Sequence, residues 1–231
     1  MERVRTGVEG LDSMLEGGVP KGETFVVMGS FGTGKTTFGL QFLNQGLSQG
    51  EKGIYISLEE DQESILSDAA SHGWDLRPYI DSQKLYIVKL EPNDAKSTIS
   101  RIKSELPDFI RSFGASRIVV DSISLLNMLF DTEHERRANM FNLSQMIKKA
   151  GATCLMTAEV KDDNPLASRD GLVEYVSDGV ISLRYEERHD KNELQLSLRI
   201  IKMRRTKHSR RITPYQITNG GIVVHEGAEM L

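Results

Sequence analysis

One segment of eight residues, 29–36, constrains this chain more than any other feature of its sequence. It reads GSFGTGKT and fits the pattern G-x-x-x-x-G-K-[ST] at every position. Glycines suit a phosphate-binding turn because the backbone must wrap closely round the anion, in conformations that a side chain would block. An apolar run precedes the segment and a helical pattern follows it, which is the context that the motif requires. The segment therefore predicts a phosphate-binding turn between a buried strand and a helix.

The motif assigns particular tasks to its last two residues. Lys35 is expected to reach the β- and γ-phosphates of a nucleotide, and the Thr36 hydroxyl is expected to bind Mg²⁺. The pattern arises by chance in under about one in a hundred chains of this length, which disfavours a glycine-rich turn without a ligand. The predicted nucleotide contacts are Ser30, Phe31, Gly32, Thr33, Gly34, Lys35, Thr36 and Thr37.

Short apolar runs alternate with longer amphipathic stretches along most of the chain. This alternation is typical of βαβ units around a parallel sheet. From residue 194 to residue 200 apolar and polar residues alternate strictly, which indicates a half-exposed antiparallel strand, and Asn219-Gly220-Gly221 predicts a hairpin turn. The predicted parallel strands are 24–28, 53–58, 84–90, 117–121 and 152–158. The predicted helices are 35–47, one with Ile65, Leu66, Ala69 and Ala70 on one face, 97–113 split at Pro107, and 133–150.

The composition is that of an ordinary globular protein. The chain has 231 residues, of which 39% are hydrophobic and 27% charged, enough material for a sizeable core. We expect a single α/β domain over 1–231, with the antiparallel strands at one edge of the sheet. No apolar run approaches the roughly 18 residues of a membrane helix, and the first twelve residues do not resemble a signal peptide. These features, with Cys154 as the single cysteine, predict a cytoplasmic protein with a buried core thiol.

Carboxylates follow two of the predicted strands. Asp121 ends one strand, where a Mg²⁺-orienting carboxylate is expected beside a phosphate loop. Glu59 and Glu60 directly follow another, at the sheet edge where ligands bind in open α/β folds. A carboxylate there could accept a proton from the water that attacks the γ-phosphate. The residues alone are equally compatible with acids that favour the dipole of the next helix.

Positive charge is concentrated near the end of the chain. The net charge is −4, yet the segment 199–211 holds seven basic residues and no acidic one. An acidic chain with one concentrated basic segment is not a general nucleic-acid coat. The segment is either a local functional element or a solvated edge strand whose charges discourage aggregation.

Several motifs together resemble the KaiC-like ATPases of the RecA superfamily. They are spread from residue 6 to beyond residue 208, so that the resemblance covers essentially the whole chain. Several of them are specific to the group rather than to phosphate loops in general. The motifs are TGVEGLD at 6–12, the phosphate loop, the pair Glu59-Glu60, GWDL at 73–76, LMTAE at 155–159, YVSDGV at 175–180 and KMRRTKH at 202–208.

The resemblance implies a RecA-like P-loop fold and a ring, usually of six subunits, with ATP at each subunit boundary. The family pattern K-x-R-x-[ST]-x-H corresponds to Lys202, Arg204, Thr206 and His208, which would reach the nucleotide of the neighbouring subunit. A cation supplied in this way stabilises charge on the transferring phosphoryl group. The resemblance also implies that Glu59 or Glu60 activates the attacking water. Arg210 and Arg211 fall outside the pattern and are interpreted as edge-strand residues.

The resemblance has limits. The clock protein that names the family has two such domains in tandem and phosphorylates itself, whereas this chain has one copy, so neither a clock role nor autokinase activity carries over. In the segment 161–170 acidic residues outnumber basic ones, and Arg136 and Arg137 fit an exposed helix face, which disfavours a DNA-dependent recombinase. The preferred function is a Mg²⁺-dependent ATPase ring coupled to an unknown protein partner. The alternatives are a nucleotide-gated binding module with very slow hydrolysis and a DNA-dependent repair ATPase.

Overall fold

A nine-stranded sheet forms the centre of the molecule. The computed structural model describes residues 1–90, 104–161, 164, 167–188 and 193–226. Within them the strands are β1 Arg3–Val4, β2 Val19–Pro20, β3 Thr24–Gly29, β4 Gly53–Ser57, β5 Leu85–Lys89, β6 Arg117–Asp121, β7 Thr153–Ala158, β8 Gly179–Arg188, β9 Glu193–Met203, β10 Ile212–Thr218 and β11 Gly221–Val224. The helices are α1 Leu11–Met14, α2 Lys35–Ser48, α3 Gln62–Ser71, α4 Arg77–Asp81, α5 Leu106–Phe113, α6 Ile123–Asn127, α7 Glu133–Lys149 and α8 Val173–Val176.

The order of the strands across the sheet is β11-β10-β9-β8-β3-β7-β6-β4-β5, while β1 and β2 form a separate two-stranded sheet. The six strands from β8 to β5 in this order are parallel, and β9, β10 and β11 are added in antiparallel pairs. This arrangement confirms the predicted α/β class with antiparallel C-terminal strands. Strand β3 lies between β7 and β8, so the turn that follows it opens near the middle of the sheet.

The core lies on both faces of the sheet because alternate residues of each strand point to opposite sides. Phe25 and Val27 of β3 pack on one face, in a buried cluster with Phe38 and Phe42 of α2. Val26 and Met28 pack on the other face, with residues of α7 that include Met140, Leu143 and Ile147. Helix α2 is therefore pressed against the centre of the sheet, directly after the phosphate loop.

A buried arginine fixes the far end of helix α2. The Arg117 side chain is 1% exposed and pairs with both carboxylate oxygens of Glu51, at 2.8 and 3.1 Å. It also donates to the backbone carbonyls of Arg5 and Phe42. A Cβ at Gly46 would lie 2.2 Å from Arg117 Nε, so this helical position requires glycine. The sequence pattern placed Arg117 in a strand but did not indicate that its charge is buried.

Most predicted element boundaries agree with the structure to within a residue or two. Ala70 is an exception, because it is exposed while Ile65, Leu66 and Ala69 are buried. Helix α5 begins at Leu106 and holds Pro107 in its first turn; residues 97–103 of the predicted helix lie outside the described residues. Proline is tolerated there because the first turn of a helix has no intrahelical partner for its N–H groups.

The structure also contains the buried core thiol and the hairpin turn that the sequence predicts. Cys154 is fully buried in β7, and this burial raises the pKa of its thiol well above the usual range. Strands β10 and β11 pair as a hairpin, with Thr218 opposite Gly221, so the predicted turn is confirmed. In the part of the chain that the structure describes, no helix is long and apolar enough to cross a membrane.

Candidate active site

The phosphate loop lies between the end of β3 at Gly29 and the start of α2 at Lys35. Gly32 and Gly34 adopt φ angles of 71° and 84°, which side chains rarely allow. A Cβ at Gly32 would lie 2.6 Å from the Tyr185 hydroxyl, and one at Gly34 would lie 2.8 Å from Ile217 Cδ1. Both glycines are therefore required by the backbone and by the C-terminal strands packed against the loop.

Lys35 extends back across the loop. Its Nζ donates to the Ser30 carbonyl at 2.8 Å, and the Thr33 hydroxyl donates to the same carbonyl at 2.7 Å. Burial lowers the pKa of the Lys35 ammonium, while the carboxylates of Asp121, Glu159 and Glu59 act in the opposite direction. The site thus presents a partly desolvated cation beside a glycine-rich loop at a helix N-terminus, an arrangement that attracts phosphate.

Three hydroxyl groups hold the Asp121 carboxylate. The Thr36 hydroxyl donates to Asp121 Oδ2 at 2.8 Å, and the Tyr55 hydroxyl donates to the same oxygen at 2.7 Å. The Thr157 hydroxyl donates to Asp121 Oδ1. Burial and the neighbouring Asp121 raise the pKa of Tyr55 well above its usual value, so its hydroxyl remains a donor.

The pair of Thr36 and Asp121 fits a magnesium ion. Mg²⁺ takes oxygen ligands and is typically bound through one or two carboxylates together with substrate phosphates and water. Here a carboxylate and a hydroxyl oxygen lie in contact beside the loop. Sequence reasoning identified both residues but missed Tyr55 and Thr157, which orient the carboxylate. Their signal is a hydroxyl-bearing residue near the end of each strand adjacent to β6.

Glu59 and Glu60 follow β4 at the same edge of the sheet as Asp121. The Ser57 hydroxyl accepts the backbone N–H of Glu60 at 2.9 Å and that of Glu59 at 3.3 Å, which fixes the turn. Glu59 is exposed and Glu60 is half-buried. Burial raises the pKa of Glu60, and the nearby carboxylates, among them Asp68 and Asp121, raise it further. Glu60 is consequently a stronger base than an ordinary glutamate.

Two predicted nucleotide contacts, Phe31 and Thr37, lie at the margin of the loop. The Phe31 ring is 91% exposed at the tip of the loop. The Thr37 hydroxyl lies 3.4 Å from His72 Nε2, and His72 Nδ1 lies 3.0 Å from the Thr218 carbonyl oxygen. His72, which sequence reasoning left without a role, therefore connects the first turn of α2 to the β10–β11 hairpin.

Glu159 is a further carboxylate that sequence reasoning left without a role of its own. It follows β7 and is one of the acids whose charge acts on Lys35. Its carboxylate pairs with Arg169 at 2.7 Å. The position directly after a central parallel strand was the available signal.

Lys202 and Arg204 lie at the opposite edge of the sheet from the phosphate loop: the loop lies where the parallel strands end, and these two residues lie where the parallel strands begin. Met203, between them, pairs with Gly179 at the start of β8, whereas Gly29 pairs with Leu183 of the same strand. Four strand positions separate these pairings, about 13 Å at ~3.3 Å per residue. The Lys202 ammonium donates to the carbonyls of Glu174 and Ser177 at 2.7 and 2.6 Å, which holds it at this far edge.

The other two residues of the basic pattern have partners near the same edge. The Thr206 hydroxyl accepts a hydrogen bond from Arg3 at 2.6 Å. His208 Nδ1 lies 2.8 Å from the Ser209 carbonyl oxygen. The structure thus brings together Lys35, Thr36 and Asp121, with the two glutamates at the same edge, and keeps the basic pattern apart from them.

Comparison with known proteins decides the family. A family model described as "ATPase: KaiC" matches residues 4–229. The chain belongs to this family. It therefore carries a KaiC-family ATPase domain, an ATP-binding unit of RecA-like fold.

Curated relatives share about a third of their residues with the chain. The circadian clock oscillator protein KaiC of Prochlorococcus marinus subsp. pastoris is 35% identical over 97% of the chain. The protein of the same name from Synechococcus elongatus is 34% identical over 95% of the chain. The chain covers 45% and 43% of these proteins, less than half of their length.

A solved structure matches the chain over nearly the full length of both. The KaiC-like protein of the hyperthermophilic archaeon Pyrococcus horikoshii OT3 has a TM-score of 0.85 and 33% sequence identity. The match covers 97% of this chain and 99% of that one. The KaiC-like fold is thus found in a solved chain of comparable extent.

Proposed function

We propose that this KaiC-family domain hydrolyses Mg²⁺-ATP within a ring of identical subunits, usually six, with a nucleotide at each subunit boundary. One observation supports this most strongly. The phosphate loop with its Thr36–Asp121 pair lies at one edge of the sheet, while Lys202 and Arg204 lie at the other. A site that needs both groups has to be completed by a second copy of the chain.

Within one subunit the phosphate loop binds the ATP phosphates. Its backbone N–H groups and the Lys35 ammonium contact the β- and γ-phosphates, with Ser30, Phe31, Thr33 and Thr37 around them. Thr36 and Asp121 would hold Mg²⁺, which when bound supplies positive charge against the phosphate oxygens. The hydroxyls of Tyr55 and Thr157 keep the Asp121 carboxylate oriented toward Thr36.

A glutamate after β4 accepts the proton of the attacking water. Glu60 is the better candidate because burial and neighbouring acids raise its pKa, which strengthens it as a base. Glu59 is exposed and contributes to the electrostatic environment of Lys35. We assign proton transfer to Glu60, and to Glu59 a negative charge that favours the protonated form of Lys35.

The neighbouring subunit provides the remaining positive charge. Arg204 is half-exposed, so its guanidinium is accessible to a nucleotide bound by another copy. Lys202, Thr206 and His208 belong to the same segment and would contact that nucleotide beside it. Cations placed in this way stabilise the charge that develops on the transferring phosphoryl group.

The names of the curated relatives refer to a circadian clock, and we propose no such role for a domain that spans less than half of their length.

The test is specific ATPase activity measured against protein concentration, with Mg²⁺ and without nucleic acid. We expect activity to rise with concentration to a plateau, because each site is completed by assembly. Light scattering on the same samples should show assemblies over the same concentration range. High activity that does not change with concentration would contradict the shared site. Tight ATP binding with almost no turnover at any concentration would instead indicate a nucleotide-gated binding module.

A further inference from the structure

Both cations assigned to the neighbouring nucleotide are held by one short segment of their own subunit. This segment, residues 174–178, connects helix α8 to strand β8, and we call it the cradle. The carbonyls of Glu174 and Ser177 accept hydrogen bonds from the Lys202 ammonium. Asp178 accepts two hydrogen bonds from Arg204. Its backbone carbonyl accepts the backbone N–H of Arg204 at 2.8 Å, and its carboxylate accepts the guanidinium at 3.3 Å.

The two oxygens of the Asp178 carboxylate have different partners. Oδ2 accepts the backbone N–H of Thr24 at 3.2 Å and lies 2.5 Å from the Lys148 ammonium, which ties the group to β3 and α7. Oδ1 is thereby directed at Arg204. The side chain is 3% exposed, and burial acts to raise the pKa of the carboxyl, but the hydrogen bonds from Lys148 and from the Thr24 N–H outweigh it and hold the pKa below its ordinary value. The group is therefore a fixed negative charge in the neutral pH range.

The Arg204 guanidinium has more N–H donors than its contact with the Asp178 carboxylate uses. A guanidinium carries five N–H donors in a rigid fork, and among the described contacts Asp178 engages Nη1. The side chain is 50% exposed, so about half of its surface remains accessible to a partner. A long side chain held in one orientation loses less conformational freedom on binding a phosphate than a freely rotating one. Asp178 supplies this restraint.

We propose that Asp178 is a positioning residue that orients Arg204 toward the nucleotide of the neighbouring subunit. The inference rests on the proposed function, because it requires Arg204 to act across the subunit boundary. Asp178 itself does not touch the nucleotide. Its effect must therefore depend on which subunit of a shared site carries it.

Mixed assemblies of two variants test the proposal. Acceptor subunits carry Arg204→Ala, so they bind ATP but offer no guanidinium to a neighbour. Donor subunits carry Lys35→Ala and an affinity tag, so they offer Arg204 but have no functional site of their own. Assemblies isolated through the tag and shown to contain both chains should hydrolyse ATP at least about tenfold faster than either variant alone, because a cation supplied across a boundary is worth about 10³–10⁵ in rate.

Asp178→Asn is then added to one partner at a time. It keeps the shape of the side chain but removes the charge that faces Arg204. In the donor we expect it to lower the rescued rate at least about fivefold; in the acceptor, which lacks Arg204, we expect no change. Asp170→Asn in the donor is the matched control, since Asp170 is a shielded carboxylate paired with Arg136 at 3.6 Å. It should leave the rescue unchanged.

Each outcome has a distinct meaning. No rescue in assemblies that contain both chains would overturn the shared site of the proposed function. Rescue that Asp178→Asn in the donor leaves unchanged would overturn only the inference, and a faster rescue would show that Asp178 restrains Arg204 instead of positioning it. Equal losses in donor and acceptor would indicate a purely structural role. If Asp178→Asn does not fold, Asp178→Glu keeps the charge, moves the carboxylate by one methylene, and is expected to give a smaller loss confined to the donor.

Discussion

Two lysines of this domain occupy similar surroundings but belong to regions of opposite character. Burial lowers the pKa of both Lys35 and Lys202, and each ammonium donates to backbone carbonyls. Around Lys35 the charges that act on it are all carboxylates, whereas the charge with the largest effect on Lys202 is the cation of Arg204. Lys35 is thus surrounded by charges of opposite sign only, while Lys202 has a second cation beside it as well as the carboxylates of Asp178 and Glu174.

The two regions also differ in how their residues are assembled. The phosphate loop is one contiguous turn, and its lysine bonds a carbonyl only five residues away. The basic segment depends on the cradle, which is more than twenty residues earlier in the chain. A site built from local sequence can be complete in one chain. The basic segment instead begins in β9, which pairs with both β8 and β10 and is therefore not the edge strand that the charge pattern suggested; its exposed Arg204 is available to a second chain.

Lys35→Ala should have the largest effect. Removing the cation that faces the phosphates is expected to weaken ATP binding at least about 100-fold, equivalent to ~2.7 kcal/mol, and to abolish turnover. Isothermal titration with ATP and Mg²⁺ measures the change. Lys21→Ala, which removes an exposed lysine paired with Glu2, is the control and should bind ATP normally. Full turnover in Lys35→Ala would contradict the assignment of the loop.

Arg204→Ala should separate rate from binding. We expect the rate of hydrolysis in assembled protein to fall by about 10³–10⁵, the range for a cation supplied across a boundary, while ATP affinity remains within about threefold. Steady-state kinetics and equilibrium binding on the same preparation provide both values. Arg210→Ala, an exposed change outside the family pattern, should leave the rate unchanged. An unaffected rate in assembled Arg204→Ala would remove the distinction between the two regions.

Glu60→Gln should lower the rate by about 10²–10⁴ with ATP binding retained, because the amide cannot accept a proton from water. The pH dependence gives the second readout. The raised pKa of Glu60 means that its basic form is lost as pH falls through that value, so the rate should begin to decline at a higher pH than for an ordinary glutamate. This acidic limb should disappear in Glu60→Gln. The control is Glu59→Gln, and a larger loss there would exchange the two roles.

Tyr215→Phe should have the smallest effect on ATP affinity. It tests the contact between the phosphate loop and the antiparallel C-terminal strands. Tyr215 lies on β10, and its buried hydroxyl donates to the Thr33 carbonyl of the phosphate loop at 2.6 Å. Loss of one hydrogen bond is worth about 0.5–1.5 kcal/mol, so we expect ATP affinity to fall about 2- to 10-fold. Tyr86→Phe, a half-exposed residue on β5, serves as the control. Unchanged affinity in Tyr215→Phe would show that the loop holds its shape without the antiparallel strands.

Features with a local cause were predictable from sequence. Strand β3, the loop and helix α2 follow from an apolar run, two glycines at positive φ and a helical pattern, all within 25 residues. Strand β9 was recognisable from strict alternation, because one face is buried and the other is not. Ala70 was misplaced because small residues fit either face of a helix, and its exposure depends on how α3 is rotated against the sheet.

Features with a distant cause were not predictable. The hydroxyls that orient Asp121 come from β4 and β7, and strand order alone brings them beside β6. The buried ion pair of Arg117 and Glu51 joins residues 66 positions apart. Such partners carry no periodic signal, since any polar residue at a strand end has the same local pattern.

The sequence by itself determined the phosphate loop of this protein, because such a loop needs particular residues at consecutive positions. It also placed seven basic residues in one segment. The tertiary structure alone decided where that charge is directed. The antiparallel pairing of β8 with β9 turns the basic segment to the sheet edge opposite the loop, and the cradle of residues 174–178 holds it there. Strand direction and register are properties of the assembled sheet, and they separate two groups that the same reaction is proposed to need.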